Sequence, residues 1–259
     1  MPVHPTAIID ASARIDETAE IGPWCVIGPE VEIGARTRLM ANLFVEGPTV
    51  IGEDNVFFPY STVGVASQDK KYKGERAQTC IGNRNSIREF VTIHRGTQGG
   101  GLLTSIGDDC LLMTYSHVAH DCHIGNHVIL GNSVGLAGHV TIGDRADVSP
   151  FSGVHQFCRI GQHAFVGPYS VIKQDVMPYS LTSHQPEVQV FGANAVGLAR
   201  RGVEKASIEA LQTAFRLLTR AGLNTSQAVE RIRAEVPACG EVEQLLDFIA
   251  ASERGVVKG

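Results

Sequence analysis

The sequence predicts a mainly-β fold: a parallel β-helix over residues 1–190, followed by a small α-helical domain over residues 191–259. Three observations predict it. Aliphatic residues recur at every sixth position, glycine often stands beside them, and the period becomes helical near Ala193.

The six-residue period starts at Val3 and runs through Ile9, Ile15, Ile21, Ile27, Ile33, Leu39, Val45, Ile51, Phe57 and Val63. It resumes at Ile81, Ile87 and Ile93. After a slip of one residue it continues from Ile106 to Ile172 through twelve positions, every one Leu, Ile or Val. At 43% hydrophobic content, chance fills one such phase about 4 times in 100,000. Six fits neither a helix of period 3.6 nor a strand of period 2. It fits a coil with three short flat sides, one hexapeptide per side, each aliphatic marker pointing inward. The small residue after the marker (Gly22, Gly34, Gly52, Gly107 and others) is expected to turn the corner. Eighteen residues complete a coil, and about nine coils stacked at ~4.8 Å give a prism roughly 40 Å long.

Two stretches interrupt the phase. Residues 64–80 hold no marker, and residues 94–105 hold a Gly-Gly-Gly run and the slip in register. Both are expected to project from the prism as loops, where function on repeat scaffolds concentrates. Beyond Ile172 the period decays. Ile208, Leu211, Phe215 and Leu218 then mark one helix face, Val229, Ile232 and Val236 a second, and Val242, Leu245, Leu246 and Ile249 a third. Asn224, Thr225 or Ser226 suits an N-cap, and Gly222 and Gly240 mark breaks.

Composition narrows the function. Only 6% of residues are aromatic, so the core is aliphatic, and a net charge of −5 gives no case for nucleic-acid binding. The six cysteines form no C-x-x-C pair, which argues against a zinc ribbon and fits reduced thiols in the cytoplasm. The N-terminus lacks the basic and apolar regions of a leader, and no apolar run is long enough to insert stably in a membrane.

Counting along the repeat also places polar residues. Residues eighteen apart stack on adjacent coils, so His120, Gly138 and Gln156 form one column, flanked by His117, His139 and His155. Three readings fit this patch: an exposed face decorated with histidines, a metal site at a subunit boundary, or a general base held by a carboxylate. Asp121 follows His120 directly, and adjacent strand residues alternate sides. It can orient the imidazole only at a corner or across a subunit boundary. Cys122 is better read as a core thiol than as a nucleophile.

The segments IHRGT (93–97), SHVAHDCHIGN (116–126), LAGHV (136–140), GVHQFCRIG (153–161), SQDKKYKGE (67–75) and FGANAVGLARRG (191–202) closely resemble the UDP-N-acetylglucosamine O-acyltransferases. The resemblance spans nearly the whole chain in order. It implies a left-handed winding of the coil, which repeat counting does not fix. It also implies transfer of a 3-hydroxyacyl chain from the phosphopantetheine of acyl carrier protein to the glucosamine 3-position of a UDP-sugar, the first step of lipid A synthesis, by a homotrimer without metal or other cofactor.

Carried over residue by residue, the resemblance implies His120 as general base, Asp121 as its orienting carboxylate and Gly138 N–H as oxyanion donor. Gln68, Asp69, Lys71, His117, His139, His155 and Gln156 would line the substrate cleft. Asn194, Arg200 and Arg201 would meet the nucleotide and its diphosphate, for which paired guanidinium groups are suited. Arg216 and Arg220 would face the acidic carrier protein. Pro168 and Tyr169 stand where small residues are usual near the end of the acyl channel, which predicts a shorter chain. Val196 and Glu187 replace a glutamate and a histidine common in the family. The change at Val196 bears on uracil or ribose recognition, and Glu187 leaves open whether the acceptor carries a 3-hydroxyl or a 3-amine. Outside this family, the metal reading points to a γ-class carbonic anhydrase-like protein. The later N-acyltransferases of the same pathway usually carry a further N-terminal domain, whereas this repeat begins at Val3.

Overall fold

The computed structural model describes residues 2–184 and 187–258. Three sheets form the sides of a prism. The first has nine strands, from Ile8–Ile9 to Val171–Ile172; the second has eight, from Arg14–Ile15 to Arg159–Ile160. The third has ten, from Glu20–Ile21 through Phe165–Val166 to a closing antiparallel hairpin of Ser180–His184 and Val188–Ala193. Apart from that hairpin all pairing is parallel among the described residues, and the coil is left-handed.

Neighbouring strands within a sheet are one coil apart, as in the register His117↔Gly135↔Gly153. The markers fill the interior: Ile93, Leu112, Val118, Leu130 and Leu136 have no exposed surface. Each such side chain contributes about 1.5–3 kcal/mol by leaving water. The two interruptions fall where expected but are narrower than their sequence limits. Strands Gln78–Ile81 and Leu103–Ile106 extend into them and pair with each other in full register.

One expectation is corrected. The corner is not turned at the glycine after the marker. It is turned three residues after the marker, by residues in the left-handed region that are rarely glycine: Arg84 (φ 56°), Tyr115 (φ 64°), Asp121 (φ 59°), His139 (φ 62°) and Phe157 (φ 65°). The glycines answer a different demand. A Cβ on Gly34 would stand 2.7 Å from the carbonyl carbon and oxygen of Gly52 on the next coil. Glycine is needed there for close approach of two backbones, not for a positive φ.

The sheet runs on through Ala193, slightly past the boundary expected at residue 190, because the hairpin continues the third side of the prism. Four helices follow among the described residues: α1 (Ala195–Arg200), α2 (Lys205–Thr219), α3 (Thr225–Glu235) and α4 (Gly240–Ala250). Ile208, Leu211, Phe215 and Leu218 are buried, as their spacing predicts. Asn224 caps α3 in a reciprocal box with Gln227. The C-terminus folds back onto the prism: Val190 N–H donates to Lys258 O, and Val256 bridges Asp175. No described helix is long and apolar enough to cross a membrane.

Candidate active site

A cleft of about 850 Å³ runs along the first sheet and the corner that follows it. His117, His120, His139, His155 and Gln156 line it from the prism. Gln68, Asp69 and Lys71 line it from the first projecting loop. That loop is shaped locally: the Asp69 carboxylate accepts from Lys71 N–H (3.0 Å), and Tyr72 N–H donates to Asp69 O (2.9 Å). The stacking derived by counting is present. His139 N–H donates to His120 O, and Phe157 N–H to Gly138 O, one coil above the other.

His120 and Asp121 meet because Asp121 occupies a corner. Its left-handed backbone swings the carboxylate back toward the preceding side chain, so His120 Nδ1 lies 2.7 Å from Asp121 Oδ2. The aspartate has no exposed side-chain surface and the imidazole only 13%. Three further groups hold Asp121: Thr97 N–H donates to Oδ1 (2.8 Å), Thr97 Oγ1 donates to Oδ2 (2.6 Å), and Asp121 N–H donates to Thr104 Oγ1 (2.8 Å). The buried carboxylate thus accepts from both Thr97 donors while it faces His120 Nδ1.

The other imidazoles differ. His94 is buried against His117, edge to face at 4.9 Å, and burial with the neighbouring His117 and His120 lowers its pKa to about 4. His117 is also lowered by burial and by His120, and its Nδ1 lies 2.7 Å from Thr92 Oγ1. His139 stacks on Phe157 at 4.3 Å; burial lowers it despite the opposing charge of Asp121. Burial thus disfavours the charged form of His94, His117 and His139 in the cleft wall.

Gly138 covers the free edge of His120. A Cβ there would fall 2.6 Å from Nε2 and 2.4 Å from Cε1. Cys122 lies wholly inside the prism, where burial pushes its thiol up to about 12, so it is a core thiol.

Several candidates lie elsewhere on the chain. Asn194 caps α1 and its Nδ2 donates to His163 O (3.2 Å). The Arg201 guanidinium donates to Arg145 O (2.5 Å) and pairs with Asp147 (2.9 Å), whereas Arg200 is exposed. Arg145 and His163 are corners between the second and third sheets, a different edge of the prism from that of His120. Pro168 and Tyr169 sit on the remaining edge, exposed, with Tyr169 stacked on Phe151 at 5.1 Å. Val196 and Glu187 are exposed. Arg216 and Arg220 border a groove of about 510 Å³ between Phe191 and α2.

Two residues of the site were not singled out by counting, His94 and Thr97. Both belong to the IHRGT segment, just where the one-residue slip removes the simple relation between spacing and contact.

A left-handed prism of hexapeptides with a histidine–carboxylate pair in a lateral cleft defines an acyltransferase of the hexapeptide-repeat class. A family profile described as bacterial transferase hexapeptide (six repeats) matches residues 103–138, and one described as UDP N-acetylglucosamine O-acyltransferase, domain 2, matches residues 175–257. The chain is 43% identical over 256 residues to the acyl-[acyl-carrier-protein]--UDP-N-acetylglucosamine O-acyltransferase of Stenotrophomonas maltophilia, covering 99% of this chain and 97% of that one. It is 46% identical over 260 residues to that of Burkholderia lata, covering 99% of each. The solved UDP-N-acetylglucosamine acyltransferase of Bacteroides fragilis superposes with a TM-score of 0.96 at 41% identity, over 99% of this chain and 100% of that one. The chain belongs to the UDP-N-acetylglucosamine O-acyltransferase family.

Proposed function

We propose that this enzyme transfers a 3-hydroxyacyl chain from acyl carrier protein to the 3-hydroxyl of the glucosamine unit of UDP-N-acetylglucosamine, opening lipid A synthesis in the cytoplasm. The observation that carries the mechanism is the flanking of one imidazole. Asp121 holds Nδ1, which leaves Nε2 as the basic nitrogen, and Gly138 lies against the Nε2 edge. His120 Nε2 takes the proton of the acceptor hydroxyl as its oxygen attacks the thioester carbonyl. The oxyanion that forms is met by Gly138 N–H. Collapse expels the phosphopantetheine thiolate, which takes the proton back from the imidazolium. In this reading side chains and backbone carry the chemistry, with no metal or resident cofactor.

The separation of the candidates over different edges supports a site completed by a second copy. Asn194, Arg200 and Arg201 of a neighbouring prism would reach the nucleotide while His120 and the Asp69 loop hold the sugar, in a homotrimer. Arg216, Arg220 and their groove offer the acidic carrier protein a basic surface beside an exposed aromatic ring.

One observation favours a metal reading. His120, Asp121 and His139 each offer a ligand atom within 4.8 Å of the others. The Asp121 oxygens, however, already accept from Thr97 N–H, Thr97 Oγ1 and His120, so a metal would have to displace them.

An acyl-transfer assay with UDP-N-acetylglucosamine, its 3-amino analogue and a panel of 3-hydroxyacyl carrier proteins tests the proposal. His120→Ala is expected to abolish turnover with the fold intact. Full activity in that variant would remove the base, a preference for the 3-amino sugar would reassign the acceptor, and stoichiometric metal lost together with activity would restore the metal reading.

A further inference from the structure

We infer that Thr97, on the second projecting loop, is a positioning residue for acyl transfer: it fixes the Asp121 carboxylate in the rotamer that engages His120 rather than His139. The inference rests on the general-base reading of His120.

Two imidazoles compete for one carboxylate oxygen. Asp121 Oδ2 lies 2.7 Å from His120 Nδ1 and 3.8 Å from His139 Nδ1. The two rings meet edge to face at 5.0 Å, so a modest turn of the carboxylate would hand Oδ2 from one to the other. Thr97 holds the carboxylate at both ends. Its backbone N–H fixes Oδ1 at 2.8 Å, and its hydroxyl fixes Oδ2 at 2.6 Å, the same oxygen His120 uses. Thr97 is 5% exposed, so water does not replace these bonds readily. With Oδ1 and Oδ2 both pinned, the carboxylate plane is set. The His120 tautomer, with its proton on Nδ1, follows from that plane.

The surroundings of Thr97 fit the same role. Gly96 and Gly100 leave no room for side chains on either flank: a Cβ on Gly100 would stand 2.0 Å from Asp121 Cγ, and one on Gly96 2.9 Å from Oδ1. The loop therefore wraps the carboxylate with backbone alone, except for the threonine hydroxyl. Gln98, the next residue, donates its N–H to Glu75 Oε1 (3.0 Å) at the base of the loop that carries Asp69 and Lys71. The clamp on the dyad and the loop facing the acceptor sugar are thus physically joined. Within the Gly-Gly-Gly run at 99–101, unexplained by the repeat, Gly100 is the glycine this wrapping requires, and Gly101 turns the chain at φ 87°.

The test compares Thr97→Val, Thr97→Ser and Asp121→Asn, singly and with Thr97→Val added to Asp121→Asn, in the acyl-transfer assay, with thermal melting of each. Valine keeps the shape and the backbone donor but removes the hydroxyl. Thr97→Val is expected to lower kcat about ten- to a hundredfold, the effect of one hydrogen bond to a charged group, with KM for the UDP-sugar nearly unchanged. Thr97→Ser should restore most of the rate. In the Asp121→Asn background Thr97→Val should cost little more, because both act through one carboxylate. The inference is overturned if Thr97→Val folds with wild-type kcat, if serine fails to rescue, or if the two losses multiply. If His120→Ala itself retains turnover, the base assignment fails instead, and the two failures are told apart by that single variant. Should Thr97→Val not fold, Thr97→Ser and Thr97→Ala in the same comparison carry the decision.

Discussion

Gly138 stands one coil above His120, so close that any side chain at 138 would enter the imidazole: a Cβ would fall 2.4 Å from Cε1. The backbone at 138 is not in the left-handed region, so alanine is conformationally acceptable there and the conflict is purely with His120. Gly138→Ala is expected to cut kcat about a hundredfold or more by moving the base and the oxyanion donor apart, at a stability cost of about 1–3 kcal/mol for overpacking. Steady-state kinetics and a melting curve check both numbers. Wild-type kcat would mean that Gly138 does not crowd the reacting base.

His94 ties folding to pH. Burial holds it neutral, with a pKa near 4 against an ordinary 6.5. The unfolded chain therefore binds the extra proton between these values while the folded chain does not, and stability rises with pH across that window. The contribution is complete above about 6.5 and is lost as pH falls toward 4, by about 3 kcal/mol in all. Urea midpoints at pH 4.5 and 7 are expected to differ less in His94→Leu than in the wild type. An unchanged difference would show that other groups set the acid limb.

The two tail arginines should separate in their effects. Arg201 is engaged by Arg145 O and Asp147 within the chain, and it partly offsets the burial that raises the Asp147 carboxyl. Arg200 is exposed and makes no ion pair among the described residues. Arg201→Ala should lower stability by about 1 kcal/mol as well as raise KM for the UDP-sugar. Arg200→Ala should raise KM and leave melting unchanged. Equal melting losses would refute this division.

Pro168 tests the acyl channel. Glycine at this position removes the ring, and the ratio of rates for a fourteen-carbon over a ten-carbon 3-hydroxyacyl carrier protein is expected to rise in Pro168→Gly. The comparison is made on the assembled enzyme, because Pro168 and the His120 cleft lie on different edges of one chain. A constant ratio would place the end of the channel elsewhere.

Much of this was legible in the sequence for one physical reason. A repeat prism is nearly one-dimensional, so spacing along the chain is contact in space. Eighteen-residue spacing alone put His120, Gly138 and Gln156 in a column, and the register of the strands beside them agrees. The two loops and the helical tail were legible as breaks in that period. Three things were decided only in three dimensions. The corner falls three residues after most markers, because the left-handed backbone, not the small residue, turns the chain; this is also why Asp121 faces its own neighbour. Thr97 reaches Asp121 across the slip in register, where loop conformation replaces counting. Asn194 and Arg201 fold back onto the far edge of the prism through bonds to His163 and Arg145, contacts between elements of different period that no spacing rule relates.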